Sequence, residues 1–285
     1  MTRTLAIVGA GRVGRVLGAR LRALGWRIGA VVTRHRATAR TAVRMIGDGT
    51  PFGELTRQIL AADVVLLATW DDALAAVARD LASMGGKEWR GKVALHLSGA
   101  LPASVLAPLA RCGARIGSMH PMQTFGAHAQ PHLDGVLFAV EGDAGAVRVA
   151  RGIVRSLGGL PVRIEARHKA AYHCAGSYAA GHVLASIEAG TRILEGTGFT
   201  RKQAMLALLS LSRQMLDNFE RLGPRAAWTG PVSRGDFAVV TKHARELRQY
   251  PAEFLSAYSA LARLAIHLLA KSPRTARARL DRALG

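Results

Sequence analysis

Cysteine is nearly absent: Cys112 and Cys174 are the only ones in 285 residues. With no C-x-x-C spacing they form neither a disulfide framework nor a thiolate metal site, and they fit a reducing compartment, the cytoplasm. Aromatic residues make up 5% of the chain, too few for the stacking platforms that hold single-stranded nucleic acid. Long apolar runs are missing too. The nearest, Ala260–Ala270, is interrupted by Arg263 and His267, which excludes a spanning helix and leaves no membrane partner to expect. The N-terminus runs directly into a strand, so no cleavable leader is expected. Acidic residues are scarce, 19 against 39 lysines and arginines, for a formal net charge of +20. Lysine is confined to Lys87, Lys92, Lys169, Lys202, Lys242 and Lys271, so the excess is arginine. A nucleic-acid surface gathers such residues into a patch. Here they are spread along the chain, with short clusters only at Arg34–Arg44 and Arg274–Arg282. The composition is that of a globular protein with anionic small ligands, and nucleic acid is a rival reading carried by charge alone.

What is present begins at Thr4–Gly18, TLAIVGAGRVGRVLG. The apolar run Leu5–Val8 suits a strand buried on both faces. Gly9-Ala10-Gly11-Arg12-Val13-Gly14 supplies a G-x-G-x-x-G fingerprint, and Gly18 extends it by one helical turn. Gly9 permits the tight turn, Gly11 lets the backbone approach a pyrophosphate, and Gly14 and Gly18 let the helix lie close on the sheet. The helix start offers unpaired N–H groups and partial positive charge. A second strand, 26–32, leads into Thr33-Arg34-His35-Arg36. An NAD site ordinarily has Asp or Glu here for the ribose hydroxyls. Two arginines and a hydroxyl suit a 2′-phosphate instead, so Thr33, Arg34 and Arg36 point to NADP(H).

Further strands are expected at 61–69, 92–97, 116–119, 136–140 and 160–164, with a helix over 144–157. Thr69 ends the first of these and joins the expected cofactor set. Asp71 and Asp72 open the next helix, where negative charge is favoured. Ser98 follows the carboxyl end of its strand, where open α/β sheets bind ligands, and is a candidate for touching substrate. His120, held at the sheet rim by Pro121, shares its loop with His128 and His132. No carboxylate or cysteine falls at a ligand spacing beside these histidines, and no metal is expected.

From 166 onward helix follows helix: 167–195, 200–221, 235–249, 251–270 and a short basic one at the end. The chain is therefore expected to be an α/β protein, an N-terminal Rossmann dinucleotide-binding domain (1–165) followed by an all-helical domain (166–285). Lys169 and His173 stand four apart on one helix face. In Thr229–Asp236, Ser233-x-x-Asp236 has the shape of a capping box, which leaves Arg234 to anchor a carboxylate through two parallel hydrogen bonds.

A Rossmann domain followed by a long helix carrying Lys-x-x-x-Asn resembles the superfamily of 6-phosphogluconate dehydrogenase, 3-hydroxyisobutyrate dehydrogenase and ketopantoate reductase; this chain has His173 in place of Asn. The set His96–Leu101, Gly117–Pro121, His168–His173 and Thr229–Asp236 is more closely similar to a bacterial family that pairs a Rossmann-like oxidoreductase domain with a helical domain of unknown function. The resemblance implies a helical domain of the 6-phosphogluconate dehydrogenase C-terminal type, NAD(P)-linked redox chemistry and a homodimer, with ketopantoate the first substrate to test. The expectation is an NADP-dependent reductase of a small keto acid. Lys169 is its proton donor, its pKa lowered by burial, Arg167 and His173; His173 or His120 assists, and Ser98 and Arg234 hold the acid end. The other rival is a non-catalytic NADPH sensor, which needs the fingerprint and Arg34 but not Lys169.

Overall fold

The fold was obtained as a computed structural model and is described for residues 3–126 and 131–285. It comprises two compact units, Met1–Ala180 and Gly181–Gly285. The division falls inside one wide π turn, Tyr178–His182, not near residue 165, so Lys169 and His173 fold with the sheet. The reason is local: the first helical turns after the last strand remain tied to the sheet by hydrogen bonds described below.

In the first unit eight strands form one sheet: β1 (Thr4–Val8), β2 (Arg27–Val32), β3 (Thr50–Phe52), β4 (Val64–Leu67), β5 (Val93–His96), β6 (Arg115–Pro121), β7 (Leu137–Gly142) and β8 (Leu160–Arg163). Their spatial order is β3-β2-β1-β4-β5-β6-β7-β8. β1 to β6 pair in parallel, β7 runs antiparallel to β6, and β8 is parallel to β7. Chain order reverses between β1 and β4, so the carboxyl ends of those strands flank the crevice where doubly wound sheets bind ligands.

The helices of this unit are α1 (Arg12–Ala23), α2 (Arg36–Ile46), α3 (Asp71–Gly85), the short α4 (Ala107–Arg111), α5 (Ala144–Ser156) and α6 (Lys169–Ser177). Two apolar clusters cover the two faces of the sheet: one joins Leu5, Ile7, Leu17, Leu21 and Phe138, the other Ala6, Val8, Leu67, Leu74, Leu81 and Trp89. Alternate residues of β1 go to opposite faces, the period expected of a strand buried on both sides.

The second unit comprises α7 (Val183–Gly196), α8 (Arg201–Leu222), the short α9 (Pro224–Ala227) and α10 (Pro231–Arg234), then α11 (Phe237–Leu247), α12 (Ala252–Leu269) and α13 (Pro273–Leu284). Val240, Ile266, Leu280 and Leu284 form its core. Its capping box is at Thr200 and Gln203, at the start of α8. The expected one at Ser233 is not formed: Asp236 itself caps α11, accepting from Val239 N, while Ser233 Oγ donates to the Gly230 carbonyl. Gly230–Asp236 holds the α10 turn between them, which takes Ser233 off the helix start. Among the described residues no helix is long and apolar enough to cross a membrane.

Candidate functional site

The turn from β1 to α1 has the geometry its glycines require. Gly9 has φ +90°, and a Cβ there would lie 2.6 Å from the backbone of Ala68 and Thr69. This turn therefore sits directly against the end of β4, at the point where strand order reverses. A Cβ on Gly14 would come within 2.9 Å of the Gly9 carbonyl, and one on Gly18 within 2.7 Å of Ile7. Both glycines let α1 approach the sheet closely. Gly11 is different: nothing lies within 4 Å of where its Cβ would be. It caps α1 with no side chain bonded to the helix start, and the first turn carries no acidic residue. The result is an open backbone surface, with the partial positive charge of a twelve-residue helix facing it.

Thr69, next to this turn, has a buried hydroxyl without a hydrogen-bond partner among the described residues. A buried polar group left unpaired is costly. Ala10 is buried in the core. Val13 packs against it. The Arg12 side chain reaches the Phe125 carbonyl at 3.4 Å. Beyond β2, Thr33 Oγ1 donates to the His35 carbonyl at 2.8 Å and so shapes the loop. Arg34 and Arg36 are exposed and make no ion pair among the described residues. Arg36 opens α2, whose first turn has no acidic side chain. The pattern fits a dinucleotide carrying a 2′-phosphate: open N–H groups at α1, free guanidinium groups at the end of β2, and no acidic side chain in the first turn of α1 or α2.

A second polar centre lies along the same sheet edge, at the carboxyl ends of β5 and β6. Lys169, the first residue of α6, is 0% exposed. Its Nζ donates to the Ser98 carbonyl at 2.9 Å and to Ser118 Oγ at 2.7 Å. Ser98 Oγ in turn donates to Asp71 Oδ2 at 2.8 Å and accepts from the Ala100 and Leu101 amides. Ser118 Oγ lies 3.5 Å from Glu141 Oε2, which also accepts from Ala103 N at 2.6 Å. The ammonium is thus flanked by two carboxylates, each one serine away. Burial lowers the Lys169 pKa to about 8, with Glu141 and then Asp71 opposing the shift. Burial acts as expected from the sequence; Arg167 and His173 do not contribute, and the charges that matter are acidic.

Ser98, expected at substrate, is instead a buried link between Asp71 and the loop after β5. Asp71 lies in the first turn of α3, as expected, and has this second task. Beneath it His96 Nδ1 accepts from Ser98 N at 3.2 Å. The His96 pKa falls to about 3, through burial first and then the Lys169 cation, with the backbone of Pro102 opposing the shift.

His120 and His173 do come together. Their rings meet edge to face, with centroids 5.7 Å apart. Gly99 makes this possible, because a Cβ there would lie 2.6 Å from the His173 ring and 2.8 Å from His120 Nε2. His120 Nδ1 is 3.0 Å from the Tyr172 hydroxyl. Burial, then His173, then Lys169 lower the His120 pKa to about 4. Burial raises the Tyr172 pKa to about 12. The sequence assigns no role to Ser118, Tyr172, Glu141, His96 or Gly99, although all but Glu141 lie within the motifs that carry the family resemblance. Two had a signal: Tyr172 shares a helix face with Lys169 (i, i+3), and Ser118 shares a strand face with His120 (i, i+2). Arg234 belongs to the second unit, exposed at the end of α10. His128 lies outside the described residues, and among those described no group of His, Cys, Asp or Glu is arranged to hold a metal.

Known proteins agree with this architecture. Residues 2–121 match the model of a Rossmann-like domain, and residues 136–265 match that of a domain of unknown function (DUF2520). No curated protein sequence matches the chain. Protein TM1727 from Thermotoga maritima is 25% identical, with a TM-score of 0.69 over 95% of this chain and 99% of its own. A reductive aminase from Aspergillus terreus, in complex with NADPH and ethyl levulinate, is 18% identical, with a TM-score of 0.72 over 99% of both chains. An imine reductase from Streptomyces aurantiacus is 14% identical, with a TM-score of 0.69 over 96% of this chain and 98% of its own. The two matches, a Rossmann-like model followed by the DUF2520 model, stand in the order of the pairing that the chain's motifs resemble.

Proposed function

We propose that the protein is an NADPH-dependent reductase of a C=O or C=N bond in a small polar molecule, with keto acids as the first substrate class and ketopantoate as the first member to test. The observation that carries this reading is the contrast among the fingerprint glycines: Gly9, Gly14 and Gly18 are packed where a Cβ would clash, while Gly11 is bare. Close approach of a ligand to the backbone is the task that would call for glycine at this open position of the fingerprint. The Gly11–Arg12–Val13 amides would hold the pyrophosphate, the Thr69 hydroxyl a further polar atom, and Arg34 and Arg36 the 2′-phosphate. When bound, the reduced nicotinamide supplies a hydride. The chain itself has to orient the substrate and neutralise the negative charge that appears on its reacting atom. The histidines at the ends of β5 and β6 lie along the same sheet edge as the glycine turn. The fold shared with a reductive aminase in complex with NADPH supports both cofactor and reaction type. The test is titration with NADPH, followed by a screen of small 2-keto acids and imines for loss of nicotinamide absorbance. Binding without any turnover favours the sensor reading.

The partner proposed beside substrate is a second copy of the chain. Leu184 on α7 and Leu206, Leu211, Phe219 and Leu222 on α8 are all more than half exposed. Leu211, Phe219 and Leu222 fall on one side of α8, an exposed apolar stripe of the kind that a second copy would cover.

A further inference from the structure

Lys169 was expected to donate the proton that completes reduction, but its geometry describes another task. Both short hydrogen bonds of Nζ end on protein atoms, and the residue is 0% exposed. A general acid has to come within hydrogen-bond reach of the atom it protonates. Two of the three ammonium N–H groups are engaged by Ser98 and Ser118, and with the side chain fully buried the third reaches a substrate only if the lysine leaves the interior. What it does in place is fix α6 to the ends of two strands. Residues 169, 172 and 173 lie on one face of that helix, so the anchor brings Tyr172 and His173 over Gly99 and His120.

His120 has the opposite character. It is part exposed, its Nδ1 is engaged by Tyr172 at 3.0 Å, and its Nε2 has no hydrogen-bond partner among the described residues. The Tyr172 hydroxyl has one proton and two acceptors in reach, His120 Nδ1 at 3.0 Å and the His120 carbonyl at 3.3 Å. Donation to the nearer one leaves Nδ1 as acceptor and puts the imidazole proton on Nε2, the free nitrogen.

We propose that His120 is the catalytic proton donor, acting through Nε2 as one end of a Tyr172–His120 relay, and that Lys169 is a positioning residue. This rests on the reductase reading above. The relay balances as follows. Reduction leaves an anion on the substrate oxygen or nitrogen. The Nε2–H bond breaks and an O–H or N–H bond forms on the product; the Tyr172 O–H bond breaks and an Nδ1–H bond forms. The phenolate of Tyr172, itself part exposed, then regains a proton from water. The transfer is downhill for an alkoxide, which is about as basic as hydroxide (conjugate acid near ~15.7), against a tyrosine near 12. A neutral imidazole suits this role, since it starts as a hydrogen-bond donor without an ionic charge to desolvate.

The test has two arms. In the full chain without substrate, two-bond proton–nitrogen correlation spectra report the tautomer and titration of His120, assigned with His120→Gln. The expected result is the Nε2–H tautomer, neutral down to about pH 5, with Lys169→Met raising the His120 pKa and Tyr172→Phe shifting the tautomer balance. An Nδ1–H tautomer, or ordinary titration near pH 6.5, overturns the relay. In the second arm, on a substrate from the screen, His120→Gln and Tyr172→Phe are expected to lower kcat at least ~100-fold with NADPH affinity within threefold. Lys169→Met should lower it less than tenfold. Turnover retained in His120→Gln overturns the relay alone; a wild-type chain that reduces nothing counts against the reductase reading and the relay together, with the spectra still deciding the His120–Tyr172 hydrogen bond.

Discussion

Lys169 Nζ lies 2.7 Å from Ser118 Oγ, an ammonium on the first turn of a helix bonded to a strand residue 51 positions away in the chain. The pair decides how the helix after β8 is held, and it gives Lys169 an unusual dependence on pH. Its folded pKa is near 8, below the ordinary lysine value of 10.5. Below pH 8 the lysine is charged in both folded and unfolded chains, and the folded chain bears the cost of burial. Between about pH 8 and 10.5 the unfolded chain holds the proton that the folded chain has released, so this contribution favours folding increasingly as pH rises. The slope is at most about 1.4 kcal/mol per pH unit. Urea denaturation of wild type and Lys169→Met at pH 7.5 and 10 should show wild type gaining relative to the variant. A constant difference would mean that the lysine titrates normally. Lys169→Ala, which removes the stem as well, should cost about 2–5 kcal/mol, the range for large-to-small changes in cores.

At the acid end the sign is the same, because these groups too have folded pKa values below their ordinary ones. His96 and His120 are held neutral to about pH 3 and 4, while the unfolded chain protonates near ~6.5. Between those limits the unfolded state binds more protons, so stability falls as pH drops from about 6.5 to about 4, each histidine contributing at most about 1.4 kcal/mol per unit. His120→Gln should flatten the loss between pH 6.5 and 4 and leave the part due to His96. An unchanged acid limb in His120→Gln would show that His120 titrates in the fold as it does in water.

Much of the sheet could be read directly from the chain, because strands buried on both faces announce themselves as apolar runs and each ended near a loop of polar residues. The misses have local reasons. β3 is three residues, Thr-Pro-Phe, at the sheet edge, where proline is tolerated but no apolar run forms. α2 is amphipathic but rich in arginine, so in the sequence its charges mask the apolar stripe of Ala39, Ala42 and Ile46. The cofactor turn is legible because its glycine spacing is a local pattern, although the backbone that crowds Gly9 belongs to Ala68 and Thr69, far along the chain. The Lys169 centre is not: a lysine at a helix start is ordinarily solvated, and its burial depends on Ser98, Ser118, Asp71 and Glu141, which only the folded sheet brings together.

Cofactor choice follows from the loop after β2. With Arg34 and Arg36 exposed and no acidic side chain in the first turn of α2, NADPH should bind at least about tenfold tighter than NADH, or about 1.4 kcal/mol. Arg34→Ala should remove most of that preference and leave NADH affinity nearly unchanged. Fluorescence titration of both cofactors checks it; equal affinities in wild type would end the 2′-phosphate assignment.

The helical unit should carry the dimer. Leu211 and Leu222 are 68% and 57% exposed on one side of α8, so charges there cost the single chain little. Leu211→Glu with Leu222→Glu is expected to give a monomer of unchanged helix content by light scattering and circular dichroism. A wild-type chain that is already monomeric at micromolar concentration would rule this surface out as a self-association site.

The glycine turn offers a prediction in which stability and binding separate. At Gly9 an added methyl would meet backbone at 2.6 Å, with φ at +90°. Neither can be relieved by moving a side chain, so Gly9→Ala should cost at least about 1–3 kcal/mol from the dihedral alone. Gly14→Ala presses on the Gly9 carbonyl and should destabilise the chain as well. At Gly11 the backbone has φ −70°, which any residue adopts, and the methyl meets nothing. Gly11→Ala should therefore change folding stability by less than about 1 kcal/mol, the size of a glycine-to-alanine effect at a compatible site. Its methyl would stand where a pyrophosphate has to approach, so NADPH affinity should fall at least tenfold. Denaturation midpoints and cofactor titrations on the three variants make the comparison. A Gly11→Ala chain that is stable and binds NADPH as wild type does would show that the open backbone is not where the cofactor lies.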